Sequence, residues 1–175
     1  TYAYPAHFML VAAMNPCKCG YFPDYNRCQC TPGQVRQYLG RISRPLLDRI
    51  DLCAETKEVP FQKLQSVEKQ ESSAQIREQV SRARKIQLDR YRNTEIQFNS
   101  ELSVDGIRKY CPIGREEQEF MGEVYHRLDL TARSYHRILK VARTIADLEG
   151  SDIISRAHLS EAVCYRMADK KFWTR

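Results

Sequence analysis

The chain has 175 residues, of which 42% are hydrophobic and 29% charged, a composition that suits a helical protein with solvated faces. No apolar run approaches the length of a membrane-spanning helix, and the first residues lack the regions of a signal peptide, so we expect a cytoplasmic protein with no membrane partner. The formal net charge of +6 is modest for this length and fits either a slightly basic surface or a nucleic-acid partner.

The first part of the chain predicts, in order, a strand at 7–14, a loop at 16–31, a helix at 32–41, a helical turn at 45–49 and a strand at 50–57. The first strand is predicted because 7–14 is a continuous apolar run that Asn15-Pro16 ends. Thr31 is a suitable cap for the helix, with Pro32 at its first position.

Residues beyond Pro60 predict a bundle of about four helices. Helical periodicity and capping residues place its segments at 72–91, 103–110, 114–127, 131–150 and from 155 onward. Inward-facing residues are predicted on three of these segments. They are Ile76, Val80, Ala83 and Ile86 or Gln87 on 72–91; Tyr135, Ile138, Leu139, Ala142, Ile145 and Ala146 on 131–150; and Ala157, Leu159, Ala162 and Val163 on the last segment.

The other face of the helix at 72–92 is basic. Six cations stand against two acids, a net +4, namely Arg77, Arg82, Arg84, Lys85, Arg90 and Arg92 against Glu78 and Asp89. Such a face could contact nucleic-acid phosphates, although solvated basic helices are common.

Four of the seven cysteines fall within fourteen residues as C-x-C-x₈-C-x-C, at Cys17, Cys19, Cys28 and Cys30. Four thiolates in a polar loop can close a tetrahedral zinc site. The spacing is tighter than the usual C-x₂-C, so reduced thiols remain an alternative, and disulfides a lesser one. The other cysteines, Cys53, Cys111 and Cys164, are predicted to be ordinary buried residues, and the dispersed histidines, His7, His126, His136 and His158, to be structural.

No phosphate-cradling loop occurs anywhere in the chain, since it contains neither G-x-x-x-x-G-K-[ST] nor G-x-G-x-x-G. Three ordered motifs nevertheless stand out, Ala13-Met14-Asn15-Pro16-Cys17, Ser43-Arg44-Pro45-Leu46-Leu47-Asp48-Arg49-Ile50-Asp51-Leu52 and Leu130-Thr131-Ala132-Arg133-Ser134-Tyr135-His136-Arg137. Together with the paired cysteines they resemble the C-terminal half of a magnesium-chelatase-like AAA+ ATPase of the competence-type bacterial branch.

The resemblance implies a mainly α chain, in which a four-helix lid bundle is attached to a fragment of an α/β P-loop core. The core fragment would cover 1–59, a linker 60–71 and the helical lid 72–175. The strand order of the AAA+ core implies that the strands at 7–14 and 50–57 flank a strand absent from this chain and are not neighbours. The magnesium-binding Walker-B acid would precede Thr1.

Asn15 resembles the sensor-1 residue, because a carboxamide at a strand end can orient the attacking water. From the residues alone, an Asn-Pro turn that ends the strand is the favoured explanation, and the resemblance is what places the sensor role first. Arg49 resembles the arginine finger, which stabilises the transition state at a neighbouring subunit's ATP. An exposed ion-pair network is the plain alternative for Arg49, and Arg44 is a second candidate for the contact across the interface.

Arg133 lies in the first turn of its predicted helix, where an arginine is a poor partner for the helix dipole and a bound phosphate would explain it. By resemblance it is the sensor-2 arginine, which together with Asn15 contacts the nucleotide. The plain alternative for Arg133 is a place in the solvated stripe of the same helix, which is our interpretation of Arg137 and Lys140.

The family resemblance implies that the full-length protein is an ATP- and Mg²⁺-dependent ring motor, a hexamer, acting as a DNA helicase or branch-migration enzyme. This chain alone would be inactive, because it lacks the phosphate-binding loop. Two alternatives remain: the ATPase subunit of magnesium chelatase, and a non-enzymatic, zinc-braced module that binds nucleic acid.

Overall fold

The structure, a computed structural model, describes residues 2, 6, 8–56, 58–61, 65 and 71–173, and the side chains of 168–170 lie outside this description. The described residues form seven α-helices and no β-strand, so the predicted mainly α class is confirmed. The chain divides into two compact units, Thr1–Arg44 with Arg175, and Pro45–Thr174. The predicted domain division, with its linker at 60–71, stays a prediction.

The first unit contains helix α1, which spans Pro32–Leu39. Thr31 caps it as predicted: the Thr31 hydroxyl accepts a hydrogen bond from Gln34 N at 3.3 Å, and Gln34 Oε1 accepts one from Thr31 N at 2.9 Å. Val35 and Leu39 are buried on the inner face of α1. The helix predicted at 32–41 is therefore confirmed.

The predicted strand at 7–14 is wrong over its described residues, 8–14, and His7 lies outside them. The side chains of Phe8, Met9 and Val11 are 79%, 87% and 81% exposed. A strand needs a neighbouring strand to pair its N–H and C=O groups, and the described residues form none. The apolar run therefore has no sheet into which it can be buried.

The remaining helices are α2 (Arg44–Leu47), α3 (Ser73–Arg90), α4 (Val104–Tyr110), α5 (Arg115–Arg127), α6 (Ala132–Glu149) and α7 (Arg156–Trp173). A 3₁₀ turn at Asn99–Glu101 lies between α3 and α4. The residues predicted to begin α3, α4 and α6 do so, since Ser72, Ser103 and Thr131 each accept a hydrogen bond from the backbone N–H three residues later.

Helix α6 lies at the centre of the second unit and packs against α7, α3, α4 and the 3₁₀ turn. The apolar face predicted for it is confirmed, and its buried members are Ile138, Leu139, Ala142, Ile145 and Ala146. Gly150 ends the helix in the left-handed conformation, with φ 74°, which glycine adopts without steric cost. The core continues with Leu102 and Ile107 before α6, and with Leu159, Ala162 and Val163 on α7.

Four residues predicted to be buried are exposed. On α3, Ile76 and Val80 are 48% and 49% exposed, because the buried residues of that helix, Ala83 and Gln87, lie in its C-terminal half. On α7, Ala157 is exposed and His158 is buried in its place. Cys164 is also exposed, whereas Cys111 is buried as predicted.

The predicted strand at 50–57 is also wrong over its described residues, 50–56. This segment is held by helix α7 instead: Cys53 N donates to the Tyr165 carbonyl at 3.0 Å, and Lys171 pairs with Glu55 at 2.7 Å. As at 8–14, no described segment provides the neighbouring strand that a sheet requires.

A buried polar cluster joins α3, the 3₁₀ turn and α6. Its centre is the Asp147 carboxylate, whose side chain is fully buried. It accepts hydrogen bonds from Arg90 Nη1 at 2.9 Å, Asn99 Nδ2 at 2.9 Å and Arg143 Nε at 3.0 Å. Burial alone would raise the pKa of Asp147, but the hydrogen bonds from Arg90 and Asn99 outweigh it, and the pKa is lowered.

We expect Asp147→Asn to destabilise the chain by about 3 to 5 kcal/mol, because it leaves the guanidinium groups of Arg90 and Arg143 without their buried counter-charge. Denaturant unfolding followed by circular dichroism measures this change. Asp105→Asn is the matched control, since Asp105 pairs with Arg108 in solvent, at 90% side-chain exposure. An equal effect of the two substitutions would contradict the assigned role of Asp147.

The same cluster sets a pH dependence. Because the folded pKa of Asp147 lies below its unfolded value, its contribution to stability is present above the unfolded pKa and is lost as the pH falls through the folded one. Asp147→Asn should therefore flatten the acid limb of the stability profile.

Candidate functional site

The segment 45–51 forms two consecutive turns that present Arg49 to solvent. Arg49 N donates to the Leu46 carbonyl at 2.8 Å, and Ile50 N donates to the Leu47 carbonyl at 3.0 Å. Leu47 is buried and anchors the segment, whereas Arg49 is exposed. The Arg49 guanidinium donates to the Pro45 carbonyl at 2.9 Å, so the end of this exposed side chain lies against the preceding turn.

Two arginines of the helical bundle, one on α6 and one on α7, hydrogen-bond to the backbone of this segment. Arg137 Nη1, on α6, donates to the carbonyls of Asp48 and, at 3.1 Å, of Ile50. Arg166 Nη1, on α7, donates to the carbonyls of Leu47 at 3.3 Å and Ile50 at 3.1 Å. Carbonyls at the end of a helix lack partners within the helix. These guanidinium groups donate to the last carbonyl of α2 and to two carbonyls just beyond it.

Two carboxylates of the segment complete the contact. Arg137 Nε pairs with Asp51 Oδ1 at 2.8 Å, and Arg166 Nη2 with Asp48 Oδ1 at 3.1 Å. The arginine side chains are only 17% and 4% exposed, so both pairs are partly shielded from water. Burial lowers the pKa of Arg137, and the charge of Asp51 opposes that shift. We call the two arginines and residues 45–51 the arginine clamp.

The interpretation of Arg137 and Lys140 as a solvated stripe is therefore wrong. Both are half-buried, and Lys140 Nζ donates to the Ser100 carbonyl at 2.8 Å. Sequence reasoning did not single out Arg166 at all. Its position three residues after the inward-facing Val163 is the signal that could have found it, because such a position faces the core.

A groove of about 530 Å³ lies beside the clamp, along the first two turns of α6. Arg133, His136, Arg137 and Lys140 line it from α6, together with Asp51 and residues 100, 102–104 and 107. Arg133 is exposed and lies near the N-terminus of α6, whose unpaired N–H groups favour a negative charge. The groove thus has the charge to attract an anion, and Arg133 is one turn from Arg137 of the clamp.

Asn15 lies in the first unit, exposed and outside any strand. Its side chain lies beside Gly20, where an added Cβ would be 3.9 Å from Asn15 Nδ2. Gly20 has φ 86°, a left-handed conformation that turns the chain sharply just after the first C-x-C pair, Cys17 and Cys19. Asn15 is thus next to the cysteine loop, and its predicted sensor role stays a prediction.

The four clustered cysteines come together as a group that could hold a metal ion. The sulfur of Cys17 is 3.3 Å from that of Cys19 and 3.8 Å from that of Cys28, and all four sulfurs, that of Cys30 included, lie within 4.8 Å of one another. A tetrahedral zinc site with Zn–S bonds of about 2.3 Å requires sulfurs about 3.8 Å apart, so the spacing fits.

The thiols differ in their electrostatic surroundings. The backbone N–H of Tyr21 helps to lower the pKa of Cys19 to about 6. The Cys30 backbone N–H favours the thiolate of Cys28, but desolvation and the nearby sulfurs of Cys19 and Cys17 outweigh it and raise the pKa of Cys28 to about 12. Four thiolates at this spacing repel one another, and a bound cation would remove that repulsion.

The basic face of α3 is weaker than the sequence indicated. Arg90 is committed to the buried Asp147, and Arg84 contacts Gln87 and the Phe98 ring. Two of the exposed cations pair with acids on the same helix or its end, Arg82 with Glu78 and Arg92 with Asp89.

Two family models match the chain. The model described as magnesium chelatase, subunit ChlI C-terminal, matches residues 70–166, and that described as magnesium chelatase, subunit ChlI, matches residues 1–64. The chain therefore belongs to the magnesium chelatase ChlI family.

Named relatives extend this result. Competence protein ComM of Haemophilus influenzae is 42% identical over 165 residues, which cover 93% of this chain and 31% of that protein. The protein YifB of Escherichia coli is 43% identical over 168 residues, with 95% and 32% covered. Rv2897c of Mycobacterium tuberculosis is 33% identical over 166 residues, with 93% and 32% covered. The chain thus spans about a third of the length of these relatives. None of the helices among its described residues is long and apolar enough to cross a membrane.

Proposed function

We propose that this chain is the C-terminal part of an AAA+ ATPase that assembles into a hexameric ring and uses ATP and Mg²⁺ to remodel its substrate. The observation that carries the proposal is the arginine clamp, which holds residues 45–51 from the bundle side and leaves Arg49 exposed. An arginine that acts on a neighbouring subunit's nucleotide needs both properties. Family membership supports the ATPase assignment.

Arg49 is the proposed arginine finger. Its guanidinium stays charged at any physiological pH and can fork onto two phosphate oxygens as negative charge shifts in the transition state. The nucleotide on which this arginine would act is the one bound by the neighbouring subunit.

Arg133 is the proposed sensor 2, and Asn15 the proposed sensor 1. The position of Arg133 on the basic groove at the start of α6 supports contact with a nucleotide phosphate. Asn15 is exposed and carries a neutral carboxamide, which suits the orientation of an attacking water rather than charge neutralisation.

In the full-length protein, Arg49→Ala should lower the rate of ATP hydrolysis by at least about 1,000-fold, the range measured for arginine fingers. Mixing Arg49→Ala subunits with subunits disabled in the phosphate-binding loop should restore activity, because some interfaces then pair an intact loop with an intact finger. Steady-state ATPase assays of the separate and mixed proteins measure this.

Matched controls separate Arg49 from its neighbours. Arg44→Ala tests the second candidate, and Arg115→Ala tests the loss of an exposed arginine, since Arg115 pairs with Glu119 at 91% exposure. If Arg44→Ala were inactive and recovered on mixing while Arg49→Ala stayed active, the finger would be Arg44. Absence of recovery for both would refute a trans-acting arginine in this segment.

Arg133→Ala should abolish hydrolysis at the subunit's own site while leaving its Arg49 able to serve the neighbour. Mixed rings of Arg133→Ala and Arg49→Ala subunits should therefore regain activity, because the Arg49→Ala subunit keeps its own Arg133. ATPase assays of the mixture, with fluorescent-nucleotide binding to each parent, measure this. Normal nucleotide binding and hydrolysis by Arg133→Ala would exclude the sensor role.

The substrate we propose is DNA, remodelled by helicase or branch-migration activity. The name of the competence relative supports a role in DNA uptake or recombination, and the exposed cations of α3 offer limited support. The family name favours a second candidate, an ATPase subunit that drives magnesium insertion into a porphyrin. Stimulation of the full-length ATPase by branched DNA, and not by a porphyrin-binding partner, would decide for DNA.

The cysteine cluster is proposed to hold a structural Zn²⁺ at Cys17, Cys19, Cys28 and Cys30. The loop between the pairs is polar and contains few buried side chains, so a metal would supply the crosslink that a core supplies elsewhere. This site also fits the alternative of a zinc-braced nucleic-acid-binding module, which an inactive full-length protein would favour.

We expect one equivalent of Zn²⁺ to copurify with the protein, and Cys17→Ser or Cys28→Ser to remove it, because three thiolates bind zinc less tightly than four. Metal analysis and the thiolate-to-metal absorption of a Co²⁺-substituted sample measure this. Cys111→Ser is the control, since Cys111 is buried in the helical core. Full metal content in the Cys28→Ser protein would exclude the four-cysteine site.

A further inference from the structure

We propose that Arg137 and Arg166 are positioning residues for the Arg49 finger, and that Arg137 couples a subunit's own nucleotide to the finger it gives its neighbour. This inference rests on the proposed function, because the arginine clamp can position a finger only if Arg49 is one. The clamp contacts are all within the second compact unit.

The clamp fixes the backbone on both sides of Arg49. Arg137 donates to the carbonyls of Asp48 and Ile50, which flank Arg49 directly. Arg166 donates to the Ile50 carbonyl at 3.1 Å and also to the Asp48 carboxylate at 3.1 Å. With its neighbours held on two helices, the Cα of Arg49 has little freedom to move, although its side chain is exposed.

Helix α6 links this clamp to the nucleotide-reading residue. Arg133 and Arg137 are four residues apart and therefore lie on the same face, about 6 Å apart along the helix axis. Both line the groove beside Asp51. Any displacement of α6 that follows phosphate contact at Arg133 must act on Arg137 and, through it, on the backbone that carries Arg49.

The chemistry of the clamp requires arginine rather than a simple positive charge. Arg137 uses Nε for the Asp51 carboxylate and Nη1 for two carbonyls. Lysine could keep the ion pair but cannot fill all three positions in that planar arrangement. The substitution Arg137→Lys therefore separates charge from geometry.

The test uses full-length rings with Arg137→Gln, Arg137→Lys or Arg166→Gln, and Arg115→Gln as the control. We expect both glutamine variants to lower kcat about 10- to 100-fold, as a misplaced catalytic group does, with KM for ATP within about twofold. Arg137→Lys should recover part of kcat. Arg137→Gln should also lower the Hill coefficient for ATP towards 1, because nucleotide binding at one site would no longer affect the finger that acts at the next site. Adding Arg49→Ala to Arg137→Gln should cost no more than Arg49→Ala alone.

A role limited to stability predicts a different result. Folded Arg137→Gln and Arg166→Gln rings with normal kcat would overturn the inference, whatever their melting temperature. If Arg137→Gln does not fold, Asp51→Asn decides, since Asp51 is 57% exposed and its loss should leave the core intact. A lowered kcat with unchanged KM and melting temperature in Asp51→Asn supports the clamp, and an unchanged kcat overturns it. If Arg49→Ala itself keeps full activity, the proposed finger role of Arg49 fails first, and this outcome separates failure of that role from failure of the clamp.

Discussion

The carboxylate of Asp147 lies where α3, the 3₁₀ turn and α6 meet, and three side chains from these elements converge on it. A buried carboxylate is costly unless its partners are fixed, so this single group dictates how α3 and α6 pack. Arg143 extends the cluster by donating to the carbonyl of Asp152 at 2.7 Å, beyond the end of α6. The C-terminal half of α6 is thereby anchored in position and orientation, and its N-terminal half is placed accordingly.

The N-terminal half of α6 repeats the same chemistry with backbone acceptors. Arg137 and Arg166 satisfy carbonyls of a short segment that has no sheet to support it, and the ion pairs with Asp51 and Asp48 offset part of the cost of shielding the guanidinium groups. Hydrophobic contacts alone would let this segment slide, because they are not directional. Directed N–H donors fix the position of each carbonyl, and the proposed role of Arg49 requires a backbone fixed in this way.

Much of the helical unit could be predicted from the sequence, because its signals are local. Hydroxyl caps at Ser72 and Thr131, the left-handed Gly150 and the apolar period of α6 each involve residues within a few positions of one another. The strands were predicted wrongly because hydrophobicity gives no information about whether a pairing strand is present. The arginine clamp escaped prediction because Arg137 and Asp48 are 89 residues apart and the acceptors are carbonyls, which any residue provides. The cysteine cluster was found because its ligands are close in sequence.

The proposed role of Arg49 places two opposing demands on the segment that carries it. An arginine that acts on a neighbour's ATP must be exposed, yet an exposed side chain on an unsupported segment would lose orientation to thermal motion. The clamp resolves this conflict by immobilising the backbone around Arg49 while leaving the guanidinium at the surface. The same helix carries Arg133, so under the proposed roles the position of the finger and the response to the subunit's own nucleotide would both depend on α6. A ring built from such subunits would transmit the state of each site through α6 to the next.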